Sequence, residues 1–433
     1  MMGSRRAALL AGASVLLLAG ASGAAQAGAF GLREQSAQAM GLAFAGAASG
    51  SGGLSSMFWN PAVVTMKPGW NSDFNATLVA PSSTITPTTG TFPPLIGLGG
   101  SGDIGQAAVL PATYTNYQLN DRLFIGLSGA APFGLITKPN SVWAGQTYSR
   151  SSKIFTLNFN PVIGYRVNDW LSIAAGPVLE YFKLTLRQAT GITPLAPTAF
   201  LKGDDWGWGF TAGVVARLSE GTTVGVGYRS SIHHQIEGSA YGIGQVRSSL
   251  NTPEKVSVGL TQAITRDFRL NFGFEWDNWT RIGSPAIVSL ALGRPVTALP
   301  LNYKNGFYYS VGAEYDFTPQ WTGRVGFAYE QSPIDISNRS TRLPDGDRYF
   351  ASVGASYRYN EKIQFDVSYQ HLFSVGGRNR IAIVPGEPLY TPPLAFLGVT
   401  DSSADIVSVG LKYRWDAPAA APAPVAVPLV RKY

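Results

Sequence analysis

The stretch Tyr349–Tyr359, which reads YFASVGASYRY, alternates between two faces one residue at a time. One face carries only Tyr, Ala and Val, and the other carries mainly Ser, Gly and Arg. The same period of two recurs in Lys362–Gln370 and in Val407–Trp415. Strict alternation predicts β-strands. These runs exceed the usual strand of about 5–6 residues and have the length of a tilted strand that crosses a bilayer.

The pattern extends over residues 70–415 and predicts an all-β protein with fourteen strands. They lie near 70–80, 108–118, 122–131, 153–166, 170–186, 204–218, 222–238, 253–265, 267–278, 303–317, 320–331, 348–359, 361–372 and 404–415. Short turns alternate with long connections rich in Gly, Pro, Ser and Thr, as in outer-membrane barrels. Because hydrocarbon tolerates no unpaired backbone, the sheet must close. The prediction is an antiparallel transmembrane β-barrel with short periplasmic turns and longer outside loops.

Composition excludes several classes of protein. Charged residues make up 14% of the chain, against roughly 25% in ordinary soluble domains. Mean hydropathy is only +0.06, which does not fit a bundle of transmembrane helices. The absence of cysteine excludes disulfides and thiol chemistry, and three histidines offer little for a metal site. We therefore expect no metal, no cofactor and, at a net charge of +7, no nucleic-acid partner.

Both ends of the chain read as segments outside the barrel. Arg5 and Arg6, an apolar run from Ala7 to Ala21 and the sequence Ala25-Gln26-Ala27 are typical of a signal peptide over 1–27. Cleavage after Ala27 removes the two arginines and lowers the net charge from +7 to +5. The Ala/Pro-rich residues 416–433 read as a disordered periplasmic tail.

Residues 28–69, called the hatch below, do not alternate. The segment is rich in small residues and reads as partly helical, with Asn60-Pro61-Ala62 near its end. It cannot face lipid, and it is short for a separate domain. Because a barrel of this size leaves a channel unless something fills it, we expect the hatch to plug the lumen.

The chain resembles the FadL/TodX-type outer-membrane transporters over about residues 30–415. The resemblance rests on Phe30-x-Leu32-x-Glu34, on Asn60-Pro61-Ala62, on Pro132-Phe133-Gly134-Leu135 and on Trp276-x-x-Trp279-Thr280. It implies a plugged barrel that takes up long-chain fatty acids or aromatic hydrocarbons. It also implies that the mature N-terminus, with Gly28, Ala29 and Phe30, reaches into the binding pocket.

Two further sites follow from residue chemistry and from this resemblance. Pro61 fixes its own φ and keeps Asn60 extended, which suits Asn60, Pro61 and Ala62 as a rigid post between hatch and wall. The third strand ends in small residues and a proline without an N–H group, which favour a break in the ladder. In the family this strand kinks to form a lateral opening, so we expect one at Gly129, Ala130, Ala131, Pro132, Phe133 and Gly134.

The expected function is passive uptake of hydrophobic small molecules, most simply long-chain fatty acids, through the lateral opening. Unusually apolar connections supply candidate ligand-binding residues: Phe92, Leu95, Ile96, Leu195, Phe200 and Phe396. Basic residues such as Lys138, Arg150, Arg187 and Lys202 are candidates to receive a carboxylate. We expect a monomer in the outer membrane of a Gram-negative bacterium, in contact with membrane lipid and lipopolysaccharide and inserted by the barrel-assembly machinery.

Four alternatives remain open. An uptake channel for alkanes or aromatic hydrocarbons needs the same fold, whereas a general porin needs an open, charged lumen. A structural or adhesive barrel needs no plug. An enzyme needs a nucleophile and a base, and only three histidines are present. By strand parity, His234 and His371 are expected to point outward and His233 into the lumen, where no motif accompanies it, so no catalytic residues are expected.

Overall fold

The computed structural model describes residues 28–416, so the predicted signal peptide 1–27 and the tail beyond Asp416 lie outside the described residues. The strands are β1 (Trp70–Pro87), β2 (Ala108–Gln118), β3 (Leu123–Ala130), β4 (Gly134–Thr137), β5 (Ser151–Arg166), β6 (Leu171–Ala189), β7 (Thr198–Arg217), β8 (Thr222–Arg229), β9 (His233–Ala240), β10 (Gly244–Asn251), β11 (Glu254–Ala263), β12 (Phe268–Asn278), β13 (Ala286–Ser289), β14 (Arg294–Ala298), β15 (Asn305–Asp316), β16 (Trp321–Gln331), β17 (Arg348–Arg358), β18 (Ile363–Ile383) and β19 (Phe396–Arg414).

All of these strands belong to one antiparallel sheet that closes on itself. The last strand pairs with the first from Asn71–Arg414 to Pro87–Gly398. Three wall strands are interrupted, and each consists of two segments: β3 with β4, β8 with β9, and β10 with β11. The segments β13 and β14 form a hairpin in a loop and are not part of the count of wall strands. The predicted barrel of fourteen antiparallel strands is confirmed.

Side chains explain why the short turns form where the sequence predicts them. The Asn120 side-chain oxygen accepts hydrogen bonds from the backbone of Arg122 and Leu123. Asn168 and Asn360 do the same in their own turns. Each side chain mimics a backbone turn and lets two strands follow each other directly.

The two faces of the wall differ in chemistry as the alternation predicts. Outward residues such as Ile163, Phe210, Val325 and Val409 are half exposed or more. The inward neighbours are polar or small, and many are buried, including Asn158 and Ser352. The exposed apolar face therefore suits lipid, while the interior is filled.

The hatch fills that interior. It contains α1 (Ala37–Met40) and the 3-10 helices η1 (Ala47–Ser49), η2 (Gly53–Phe58) and η3 (Pro61–Thr65). Helix α1 contacts β17, β18 and β19, whereas η3 contacts β5, β6 and β7 elsewhere on the wall. Two short helices lie outside the hatch, α2 (Pro93–Ile96) and η4 (Trp279–Ile282). No helix in the described part of the chain is long and apolar enough to cross a membrane.

The strands extend further on the loop side than the sequence pattern predicts. β1 continues to Pro87, β18 continues to Ile383, and β7 begins at Thr198. Within the predicted loop 239–252, β9 and β10 pair as a hairpin from Gly244–Ala240 to Asn251–His233. The alternation is lost beyond the lipid because neither face must be apolar there, but the backbone still pairs.

Candidate functional site

The wall has an unpaired window between β2 and β4. The ladder between β2 and β3 stops at the pair Thr113–Gly129 and returns as one bridge between Gly105 and Thr137. The two pairs are eight positions apart along each strand, so the register is the same on both sides of the window. Between them, residues 130–136 leave their place opposite residues 106–112.

The start of the hatch replaces the missing partner. Gly31 forms an antiparallel bridge with Phe133. The Leu32 N–H donates to the Pro132 carbonyl at 2.8 Å, and the Gly134 N–H donates to the Phe30 carbonyl at 2.9 Å. The displaced part of the third strand therefore pairs with the N-terminal segment instead of with β2.

Side chains form hydrogen bonds with further backbone groups of the kink. The Thr156 hydroxyl lies 2.9 Å from the Phe133 nitrogen and 2.8 Å from its carbonyl oxygen. The Gln35 amide donates to the Ala131 carbonyl at 2.8 Å. Since an unpaired buried peptide group costs about 1–3 kcal/mol, these bonds stabilise the opening.

Asn60, Pro61 and Ala62 hold the other end of the hatch against the wall. Asn60 is the N-cap of η3, and its side-chain oxygen accepts from the Ala62 N–H at 3.0 Å. The Asn60 amide donates to the carbonyl of Val214 on β7 at 2.8 Å. It fits because the wall opposite is Gly213, where a Cβ would lie 2.0 Å from the Asn60 oxygen.

Three aromatic rings meet where the N-terminus passes the kink. Phe30 lies edge-on to Trp279 and Phe133, with ring centroids 4.8 and 5.9 Å apart. The Phe133 and Trp279 rings are 5.9 Å apart. A small cavity of about 20 Å³ lies here. Its lining is mixed in chemistry: Gly28, Gly31, Leu32, Arg33, Phe58, Pro132, Phe133, Arg229, Pro253, Lys255, Asp277 and Trp279.

Beside the cavity, a buried network of charges holds Arg33. The Arg33 guanidinium pairs with Glu275 at 3.2 Å and Asp277 at 3.3 Å, and it also contacts Glu330. Its guanidinium carbon lies 4.1 Å from the centre of the Tyr308 ring. Lys255 bonds the same two carboxylates at 2.8 and 3.3 Å, namely Glu275 and Asp277.

The network continues to the first described residues. Arg348 pairs with Glu330 at 3.3 Å and with Asp345 at 2.7 Å. The Gly28 nitrogen donates to Glu330 at 2.8 Å, and the Ala29 nitrogen donates to Asp345 at 3.0 Å. The N-terminal segment is therefore held by carboxylates on β12 and β16 and in the loop before β17.

Two cations face the cavity from neighbouring strands. Arg229 of β8 and Lys255 of β11 are directly opposite each other. Arg229 is 7% exposed, and its Nε has no hydrogen-bond partner in the described structure. Its guanidinium carbon lies 5.1 Å from the centre of the Phe58 ring. Like charges opposite each other are unfavourable. Glu275 and Asp277 offset the charge of Lys255, whereas Arg229 forms no ion pair within the described residues.

The comparisons with known proteins agree with this geometry. Residues 18–415 match the family model of outer membrane protein transport proteins, the OMPP1/FadL/TodX family. The chain belongs to this family. The long-chain fatty acid transport protein of Escherichia coli K12 is 25% identical over 79% of this chain and 88% of its own length. Outer membrane protein P1 of Haemophilus influenzae is 24% identical over 79% and 85%.

Solved structures show the same fold. A FadL homologue of Pseudomonas aeruginosa superposes with a TM-score of 0.80 at 23% identity, covering 90% of this chain and all of its own. The toluene transporter TodX of Pseudomonas putida gives a TM-score of 0.68 at 17% identity, covering 88% and 99%. The protein is thus an outer-membrane protein of the FadL/TodX family, and the resemblance found in its sequence is confirmed.

The structure brings together the N-terminal and kink residues but disperses the loop residues predicted to bind ligand. Phe396 is buried with Trp143 in a separate cluster between extracellular segments. Leu95 is fully buried in α2, whereas Ile96 is 38% and Leu195 is 94% exposed. None of the six candidate residues lines the cavity. No element gathers the six into one pocket.

The predicted orientation of two histidines is wrong. His234 is fully buried inside the barrel, 3.3 Å from Glu180 and 3.2 Å from Asp205, while His233 is exposed. The wall strand is interrupted between Arg229 and His233. This break reverses the parity, so even-numbered residues face inward after it. Within residues 28–416, no group of acidic or histidine side chains is arranged to hold a metal ion.

Sequence reasoning assigned no role in the site to Arg33, Trp279, Glu330, Asp345 or the opposed pair of cations. Arg33 lies between Leu32 and Glu34, in the N-terminal motif that resembles the family. A basic residue in a segment otherwise poor in charge was the signal in the sequence that could have indicated its role. Charged side chains of the wall that face the lumen pair mostly between adjacent strands, as Arg269 does with Glu314.

We predict that Arg33→Gln detaches the N-terminal segment without unfolding the barrel. Removing one member of a buried ion network costs about 3–5 kcal/mol, because it leaves the partner charges unpaired. Hydrogen exchange of residues 28–36 should accelerate, while exchange in β16–β18 stays slow. Arg269→Gln, which removes a half-buried pair far from the hatch start, is the control. Unchanged exchange in the Arg33 variant contradicts the anchoring role.

Proposed function

We propose that the protein takes up hydrophobic molecules that end in a carboxylate, with long-chain fatty acids as the principal substrate class. One observation carries this proposal: Arg229, which forms no ion pair within the described residues, lies beside Lys255 in a cavity lined partly by aromatic rings. The relatives named as long-chain fatty acid transport proteins support it. An alkyl chain gains about 0.8 kcal/mol for each methylene it buries, and a charged hydrogen bond adds about 1.5–3 kcal/mol.

Arg229 is the better receptor of the two cations. Lys255 already bonds Glu275 and Asp277, whereas the Arg229 guanidinium touches only neutral groups in the described structure, including the Phe58 carbonyl at 3.2 Å. A guanidinium presents two parallel N–H groups that match a carboxylate. The head group then lies against β8, and the chain extends along Phe30, Phe133 and Trp279.

Arg229→Gln should weaken binding of a long-chain fatty acid at least tenfold, while binding of the alcohol of equal length changes less than twofold. A tenfold loss corresponds to about 1.4 kcal/mol, close to the lower end of the range of about 1.5–3 kcal/mol for one charged hydrogen bond. Isothermal titration in detergent measures both. Arg217→Gln, at the exposed turn end of β7, is the control. Equal losses for acid and alcohol contradict the head-group role.

Uptake of neutral aromatic hydrocarbons is the second candidate. The observation in its favour is the edge-to-face set of Phe30, Phe133 and Trp279, which holds no charge. One solved relative is named a toluene transporter. A toluene-class ligand that binds tightly and equally to wild type and the Arg229→Gln variant favours this candidate. A general porin is disfavoured, because the buried hatch occupies the lumen.

The window between β2 and β4 is the proposed exit, with the hatch acting as plug and gate. An apolar solute gains nothing by entering a wet periplasmic outlet, whereas the window leads sideways into lipid. The cavity reaches the kink through Pro132 and Phe133. Phe30 lies between the cavity and the window, so movement of Phe30 opens the path from one to the other. During this movement Asn60 keeps the hatch bound to β7.

Ala131→Trp should block uptake while detergent-solubilised protein still binds ligand. An indole at this position narrows the window without touching Arg229. Growth on oleate in a strain that lacks other uptake routes measures transport. Ala175→Trp, on the exposed outer face of β6, adds the same bulk elsewhere. Normal growth with a folded Ala131→Trp protein rules out this exit.

We also propose that the mature chain begins at Gly28. The ion pairs that surround Arg33 join three cations to four carboxylates: Arg33, Lys255 and Arg348 to Glu275, Asp277, Glu330 and Asp345. Cleavage after Ala27 turns the Gly28 nitrogen, 2.8 Å from Glu330, into an ammonium group that balances the network. Intact-mass spectrometry of protein from outer membranes should give the mass of residues 28–433. A retained leader refutes this start.

A further inference from the structure

Four basic side chains surround one threonine on the outer face of the barrel. Thr185 of β6 lies opposite Lys153 of β5 and Lys202 of β7. Lys183 and Arg187 precede and follow it by two residues, on the same face of the strand. Strand spacing places all four Cα atoms within about 7 Å of the Thr185 Cα. We call these five residues the outer cationic patch.

The patch faces away from the lumen. All four cations are exposed, whereas their inward neighbours Ser152, Phe182 and Gly203 are buried. Lys202 and Arg187, two of the candidates to receive a carboxylate, therefore lie outside the barrel and away from the cavity lining. Their place outside the barrel requires a different partner.

The height of the patch identifies the layer it meets. One row nearer the turns, the outward rings of Tyr181 and Trp206 lie 5.1 Å apart, and Phe155 lies 6.5 Å from Tyr181. The outer face then stays apolar down to Ile163 and Tyr165. Aromatic girdles mark the boundary between hydrocarbon and head groups. The patch lies just beyond this girdle on the side of the long loops, at the head groups of the outer leaflet.

The four cations form no ion pairs within the described residues, although Asp204 and Glu237 lie on the same outer face beside Lys202. Within residues 28–416, none of the four cations has a carboxylate within the 4.0 Å of an ion pair. The one acidic residue directly opposite a member is Asp204, across from Lys183. Concentrating like charges is unfavourable without a counter-charge. Basic clusters at the edge of a membrane span are the usual recognition device for anionic lipid head groups.

We propose that the outer cationic patch binds the phosphorylated sugar head group of the outer-leaflet glycolipid, lipopolysaccharide. Lysine and arginine form charge-assisted hydrogen bonds to phosphate oxygens, and Thr185 adds a hydroxyl at the centre. The acyl chains of the same lipid then lie along Phe155, Tyr181 and Trp206. This lipid contact is separate from the transport cavity inside the barrel and does not depend on the proposed substrate.

Thr185→Glu tests the site with one substitution, because it places a carboxylate among the four cations. Native mass spectrometry of the full-length protein in detergent, titrated with bisphosphorylated lipid A, gives the affinity. We expect at least a tenfold loss for Thr185→Glu and less than a twofold change for Thr185→Gln, which has the same size without the charge. Lipid A without phosphates should bind all three proteins equally weakly.

A second pair of variants separates the site from overall charge. Replacing Lys153, Lys183, Arg187 and Lys202 together by Gln should abolish the preference for phosphorylated over dephosphorylated lipid A. Replacing four other exposed cations by Gln leaves it intact; they are Arg247, Arg294, Lys304 and Arg378. Heat-modifiability on gels confirms that each barrel is folded. Equal preference in the two fourfold variants, or wild-type affinity in Thr185→Glu, overturns the proposal.

Discussion

The requirement that every backbone group in the membrane be paired governs this structure. The sheet meets it by closing β19 onto β1. Where the third strand turns inward, the regular ladder is interrupted, and there the partners come from the hatch and from Thr156. The window and the N-terminal segment are thus one unit. The segment cannot withdraw without leaving the carbonyls of Ala131 and Pro132 unpaired.

Charge ties the ligand cavity to the same unit. Buried ion pairs are seldom more stabilising than apolar packing, but they are specific in geometry. Glu275 and Asp277 are shared between Arg33, which belongs to the hatch, and Lys255, which faces the cavity. An anion beside Arg229 and Lys255 changes the field that holds Arg33. The cavity lining and the anchor of the hatch therefore share charged residues.

The fold was predictable from the sequence because lipid imposes a period of two on every strand that crosses it. Turn chemistry at Asn120, Asn168 and Asn360 added the boundaries. The same reasoning fails where lipid ends. The Ser230–Ile232 break looks like continuing strand, yet it reverses the parity and places His234 inside. Arg229 and Lys255 are 26 positions apart in sequence, and only the register between β8 and β11 makes them neighbours.

The apolar loop residues that composition suggests as ligand contacts lie away from the cavity beside the kink. An apolar side chain in an extracellular segment has two ways to leave water, by binding a ligand or by packing on another segment. Phe396 takes the second, with Trp143 and Ile383. The cavity lies deeper in the barrel, where the path of the N-terminal segment is fixed by its pairing with the kink. The N-terminal segment passes the kink there, and the rings of Phe30, Phe133 and Trp279 pack against one another. The cavity beside them is lined both by aromatic rings and by charged side chains of both signs.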